Sequence, residues 1–149
     1  MTDMSSFTRL VGLDHGLCVL STSRSDGGIH SCVVNAGVLR HPSTGMNVVG
    51  LVAAGGTQKL RNLRANPNAT IVVRAGWEWA GVEGTAEIVG PDDARAGVDA
   101  DALRLLLREI FRAAGGEHDD WDTYDQVMAQ ERRAAVFVTP LRAYGNTQS

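Results

Sequence analysis

At Asp99 the hydrophobic pattern of this chain changes period, and that change limits what it can become. Before it lie short apolar or alternating runs, "LCVLSTS", "HSCVVNAGVL", "NVVGLVA", "ATIVVR" and "WEWAGVEGTAEIV", separated by turn signals such as "RSDGG" and "RHPSTG". Such runs read as strands joined by short connections, the first two forming a hairpin. After it, Leu103, Leu106, Leu107, Ile110, Phe111 and Ala114 recur at three- and four-residue spacing, a helical stripe that Gly115-Gly116 ends. A second helix is predicted from Asp119 or Asp120 as N-cap through Trp121, Tyr124 and Met128 to Arg132. "AAVFVTPLRAYG" returns as a last strand. Near the start, Phe7, Leu10, Val11 and Leu13 give a brief helical stripe over Ser6 to Asp14, stopped by His15-Gly16. Strands first, helices late and one closing strand predict a mainly β (α+β) domain over residues 1–149, a small antiparallel barrel with helices on one side.

A chain of 149 residues is enough for one core, and 44% hydrophobic with 21% charged residues leaves no room for a long disordered region. The net charge of -3 argues against a chain built to hold nucleic acid, which needs a basic surplus to displace counterions. "MTDMSSFTRLVGL" has no basic stretch followed by an apolar core, and no apolar run approaches the ~18 residues of a membrane span. A cytoplasmic protein without membrane or nucleic-acid partners is expected. Cys18 and Cys32 lie in apolar strand runs, where cysteine acts as a small hydrophobe. Hairpin pairing sets Cys18 opposite residues 34–36 and Cys32 opposite residues 20–22, too far apart for a disulfide.

The segment "AAGGTQKLRNLRANP" carries the densest candidate chemistry. Two glycines lead into a short basic helix whose N-terminal N–H groups carry partial positive charge, an arrangement suited to an anion. Thr57 offers a hydroxyl and an N-cap, Lys59 a full charge in the first turn, and Arg61 and Asn62 further contacts. The segment is neither a Walker A loop nor a G-x-G-x-x-G motif. Its alternative is a solvated amphipathic helix with Leu60 and Leu63 turned inward. In "HSCVVNAGVL", Cys32, Val34, Ala36 and Val38 share one strand face and Ser31, Val33, Asn35 and Gly37 the other. In "GWEWAGVEGTAEI", Trp77, Trp79, Glu83 and Thr85 alternate on one face, where indoles can stack on a flat ring or pack at an interface. "GEHDDWDTYD" crowds His118 with four aspartates, but its spacing matches no metal motif, and acidic residues suit a helix start. No metal site and no catalytic triad is expected.

Taken together, Lys59, Leu63, Asn66-Pro67 and Ala69 in "KLRNLRANPNA", then Trp77, then Glu83, Gly84 and Ala86 in "VEGTAEI", resemble the pyridoxamine 5'-phosphate oxidase-like family of split β-barrel flavin and deazaflavin proteins. The similarity extends from about Phe7 to Gly145. The segments "GGEHDDWDTYDQVM" and "ERRAAVFVTPLRAYG" resemble its short branch that uses the deazaflavin coenzyme F420.

The resemblance implies an FMN-binding-like split β-barrel with flanking helices, acting as a homodimer with two sites at the subunit interface. "GGTQKLRN" would hold the phosphate of the cofactor's side chain, with Lys59 the main countercharge and Thr57, Gln58, Arg61 and Asn62 its neighbours. Ser31, Val33 and Asn35 would lie along the ring, and Trp77 and Trp79 would close over a ring bound mainly to the partner. The basic C-terminal segment with which pyridoxamine phosphate oxidases grip their substrate is missing; the chain ends in "RAYGNTQS". The implied activity is an oxidoreductase passing a hydride from reduced F420 to a small organic acceptor. FMN is the alternative cofactor, and a non-catalytic cofactor-binding protein the alternative role. The hydride step itself needs no acid–base residue.

Overall fold

In the computed structural model, which describes residues 2–146, helix α1 (Ser5–Val11) leads into strands β1 (Leu17–Ser23), β2 (Ile29–Arg40) and β3 (Asn47–Ala53). Helix α2 (Gln58–Ala65) precedes β4 (Asn68–Ala75) and β5 (Glu78–Val89), followed by helices α3 (Ala100–Ala113) and α4 (Trp121–Gln130) and strand β6 (Ala134–Gly145). The last three residues of "RAYGNTQS" lie outside that range.

The six strands close into an antiparallel barrel in the order β1-β2-β3-β6-β5-β4, so no ladder edge is left open. Alternation decides which side chains fill it. Cys18, Leu20 and Thr22 of β1 and Ala69, Ile71 and Val73 of β4 are buried, while their neighbours along each strand are more exposed. Strand β3 reads as a continuous apolar run because both its faces are covered. Val49 and Leu51 belong to the barrel interior, and Val48 packs with Leu106, Leu107 and Ile110 of α3.

The helices do not gather on one side, as the order of elements had predicted. Phe7 and Leu10 of α1 and Leu60 and Leu63 of α2 enter the barrel core itself. Helix α1 reaches the start of β5 through the Arg9–Glu78 ion pair, and α2 reaches the end of β1 through Asn62 and Thr22. Since Val19 pairs with Val72 and Thr22 with Ala69, the end of β1 lies beside the start of β4 and away from the start of β5. The two helices therefore plug opposite ends. Helix α3 packs on the barrel's side, against Val48, Val89, Ala135 and Phe137.

A Cβ at Gly37 would lie 2.3 Å from the carbonyl of Ala113, so glycine there lets the last turn of α3 rest on the β2 backbone beside Asn35. Strands β1 and β3 fall on their predicted residues, and Asp99 and Asp120 cap α3 and α4 by accepting from Ala102 N and Thr123 N. Helix α1 ends sooner than predicted, at Val11, and leaves Leu13 62% exposed. Cys18 pairs with Val34 and Cys32 with Leu20, and both thiols are free. Burial pushes the Cys18 thiol up to about 12. No helix among the described residues is long and apolar enough to cross a membrane.

Candidate functional site

The turn from β3 to α2 leaves charge unsatisfied. Gly56 takes φ +76, a conformation that glycine adopts without strain, and the chain then enters α2 at Thr57. Thr57 occupies the N-cap position without capping: its hydroxyl donates to the Ala54 carbonyl at 3.0 Å. Among the described residues the first-turn N–H groups of α2 therefore have no side-chain acceptor, and the turn holds no acidic residue. Lys59 sits there half-buried, and among the described residues its ammonium has no hydrogen-bond or ion-pair partner.

Lys59 lines a cavity of about 460 Å³, within the range of roughly 300–1,000 Å³ usual for small-molecule sites. One wall is the barrel, with Val33, Val34 and Asn35 of β2 and Val52, Ala53 and Ala54 at the end of β3. The other is helical, with Ile110, Phe111 and Ala114 from the end of α3 and Tyr124 and Met128 from α4, closed by Arg133. Asn35 Nδ2 donates to the His15 carbonyl, which fixes its amide at the rim. Tyr124 is held by its hydroxyl, which donates to Leu107 O at 3.1 Å, and burial raises its pKa. The cavity has a mixed polar and apolar lining that includes two cationic side chains, Lys59 and Arg133.

Three sequence-predicted site residues, Val33, Asn35 and Lys59, meet in this cavity, and Thr57 adjoins it through the turn. Gln58, Arg61 and Asn62 form an internal relay instead. Asn62 is buried, donates to Thr22 Oγ1 at 3.0 Å and accepts from Gln58 Nε2 at 2.7 Å, while Arg61 donates to Gln58 Oε1 at 2.8 Å and to Gly56 O. They anchor the first turn of α2 to the barrel. Ser31 lies further along β2, its hydroxyl 2.8 Å from that of Ser21.

Trp77 and Trp79 stand on the β4–β5 hairpin and line neither this cavity nor the second one, of about 420 Å³, bordered by Ser21, Thr70, Glu83 and Arg142. The two indoles do not share a strand face, because Trp77 follows Gly76 in the hairpin turn and β5 begins only at Glu78. Trp77 is 95% exposed on a turn pinned by Asn146, which donates to Trp77 O and accepts from Trp79 N. Trp79 makes an edge contact with Tyr144.

The helical wall was missed by sequence reasoning. Phe111 and Ala114 sit on the stripe that marks α3 as core-facing, yet they are only partly buried and overhang the cavity. "GEHDDWDTYD" has structural duties: Asp120 caps α4, and Asp125 takes Arg108 and Arg104 as partners. Hydrogen bonding to Arg108 holds the Asp125 carboxyl below the usual carboxylate range. Among the described residues no group of three His, Cys, Asp or Glu is arranged to hold a metal ion.

Solved structures share this fold. A conserved hypothetical protein of Mycobacterium tuberculosis matches with TM-score 0.67 at 19% identity, over 97% of this chain and 84% of that one. An F420 reductase matches with TM-score 0.61 at 18% identity, over 91% and 94% of the two chains. An FMN-binding, pyridoxamine 5'-phosphate oxidase-related protein of Nostoc punctiforme matches with TM-score 0.62 at 13% identity, over 95% and 80%. At these identities the likeness is one of fold. The pyridoxamine 5'-phosphate oxidase family model matches residues 9–144, nearly the whole barrel with its helices, and the chain belongs to that family.

Proposed function

We propose that this chain is an F420-dependent oxidoreductase that acts as a homodimer and serves a small organic hydride acceptor. The observation that carries the reading is the pairing of an uncapped, glycine-led helix start with Lys59, which has no partner among the described residues and lines a cavity of mixed polar and apolar surface. That combination suits a phosphorylated, flat, largely apolar ligand. Lys59 and the first-turn amides hold the phosphoryl group of the cofactor's side chain, Thr57 shapes the turn, and Gln58, Arg61 and Asn62 lock it in place. Val33, Asn35 and Ser31 offer small side chains and backbone to the ring edge. When bound, the deazaflavin supplies the hydride chemistry, and the protein supplies position, electrostatics and exclusion of water.

The homodimer is supported by the outer face of β1 and β2, where Leu17, Val19 and Val33 are 43%, 40% and 67% exposed and Val19 pairs directly with Val33. The exposed Trp77 on its pinned turn, with Trp79 behind it, suits closure over a ring bound to the partner copy.

A second reading replaces F420 with FMN, because the Lys59 corner recognises a phosphoryl group that both cofactors carry. The visible spectrum and mass of the small molecule released on denaturing the purified protein decide between them. A deazaflavin supports the first reading and FMN the second; a protein that takes up neither from solution refutes both. Bound cofactor whose reduced form is reoxidised by no enone, quinone or nitro compound would mark a carrier rather than an enzyme.

A further inference from the structure

We propose that the turn at residues 90–93, in the connection from β5 to α3, is an ionic clamp that sets the span of the Lys59 cavity, with Asp92 and Asp93 as its positioning residues. This rests on the cavity being the cofactor site proposed above, although neither carboxylate lines it. The turn is closed on itself, because Gly90 N donates to Asp93 O at 3.1 Å and Asp93 N to Gly90 O at 3.0 Å. A Cβ at Gly90 would lie 2.6 Å from the Ala134 Cβ, so the turn starts against the first residue of β6. Its two carboxylates then part. Asp93 accepts from Arg64 Nε at 2.9 Å and Nη2 at 2.6 Å, in the last turn of α2. Asp92 accepts from Arg132 Nε at 3.2 Å and from Arg132 Nη2, at the junction of α4 and β6.

These pairs close a ring of contacts that includes α2. At the other end of the helix, Gly55 N donates to Glu131 O at 2.9 Å, and a Cβ on Gly55 would come within 2.9 Å of Arg132 Cβ. Residues 131 and 132 thus receive both the lead-in to α2 and, through Asp92 and Asp93, its last turn. Lys59 sits on that helix, while Tyr124 and Met128 of the helical wall sit on α4, which ends at the same junction. The ring therefore fixes the span from Lys59 to that wall. Arg132 takes φ 49, a left-handed conformation that a non-glycine residue keeps only where its surroundings hold it, and the fork on Asp92 is such a hold. The charges also sense each other across the ring: hydrogen bonding to Arg132 lowers the pKa of Asp92, and Arg64 lowers it further. Arg132 and Asp92 are 55% and 43% exposed, and Arg64 and Asp93 36% and 20%, so each pair is a surface contact that can be removed without unfolding the chain.

The test uses the full chain carrying Asp92→Asn and Asp93→Asn together, in the wild-type and Lys59→Ala backgrounds, with FMN and F420 as probes. Without ligand, hydrogen exchange at the Gly55 amide should speed up about tenfold in the double variant, the scale of two surface ion pairs, and by more than at the Val49 and Leu51 amides of the barrel interior. Cofactor affinity should fall about fivefold in the wild-type background, as for a charge-assisted contact held out of place. It should not change in the Lys59→Ala background, where no ammonium is left to position. Unchanged exchange at Gly55, a rise shared equally by the interior amides, or an affinity loss of equal size in both backgrounds would overturn the inference and leave ordinary surface ion pairs. If the wild-type protein binds neither cofactor, the functional reading falls by itself and exchange at Gly55 decides about the clamp. A selective rise there upholds it, and no selective rise refutes it.

Discussion

The start of α2 and the α3–α4 hairpin are built from similar materials and treat charge in opposite ways. Both place polar residues at a helix N-terminus and both carry clustered charge. At α4, Asp120 accepts from the Thr123 N–H and hydroxyl, Asp125 is flanked by Arg104 and Arg108, and Arg108 and Arg112 lie 5.2 and 4.6 Å from the Trp121 ring centroid. Asp120 and Asp125, two of the charges that the sequence crowds there, find partners within the hairpin, which makes them a fastening. At α2 the cap hydroxyl turns away, no acid enters the first turn, and Lys59 has no partner among the described residues. Local charge density is therefore a poor guide to a site. What distinguishes one is charge the fold leaves unspent beside a cavity.

The largest expected consequence is at Lys59. Lys59→Ala should weaken cofactor binding by about 1.5–3 kcal/mol, as for a lost charge-assisted contact, while Tm stays within error of wild type because no internal partner is orphaned. A drop in Tm without loss of affinity, measured by fluorescence titration beside thermal unfolding, would turn the contrast around. Asp125→Asn should do the reverse. The Arg108 and Asp125 side chains are 17% and 14% exposed, so removing the charge leaves Arg108 without its fork, and Tm should fall with far less change in affinity than at Lys59. Hydrogen bonding lowers the folded-state pKa of Asp125, so its contribution is present above the ordinary carboxylate range and is lost as pH falls through it. The Tm difference between wild type and Asp125→Asn should shrink on acidification below about pH 4.

The extent to which this was legible in the sequence follows the range of the interactions. Leu17–Ser23 and Asn47–Ala53 could be bounded because strand periodicity and flanking turn residues are local signals, and Asp99 and Asp120 because a cap acts within one turn. Lys59 could be singled out because Gly55 and Gly56 stand within the same short segment. The duty of Asn62 could not, since its partner Thr22 lies 40 positions away and the same residue suits a ligand contact or a buried pin. Trp77 and Trp79 matched an alternation that the positive φ of Gly76 breaks. The helical wall of Phe111, Tyr124 and Met128 was invisible because it depends on how closely α3 settles on β2, which the contact at Gly37 decides.

His41 extends the comparison to a titrating group and has the smallest expected effect. It is 7% exposed beside the β2–β3 turn, with Nδ1 accepting from Ser43 N and Thr44 N at 3.0 and 3.3 Å and Nε2 2.6 Å from Glu87 Oε1. Two backbone donors aimed at Nδ1 require it unprotonated there, which assigns the proton to Nε2 as the donor to Glu87. Burial lowers its pKa first and the neighbouring Arg95, itself paired with Glu87, lowers it further. The folded chain then binds fewer protons than the unfolded chain below the ordinary histidine pKa of about 6.5, so stability falls as pH drops through that value. Urea midpoints between about pH 5 and 8 should therefore decline more steeply on the acid side for wild type than for His41→Gln, which keeps a hydrogen-bonding side chain but cannot titrate. Lys59→Ala should follow the wild-type curve, because a residue held for a ligand takes no part in this balance. Parallel curves for wild type and His41→Gln would show that the turn tolerates the imidazolium, and that its internal pairing is weaker than that of the α3–α4 hairpin.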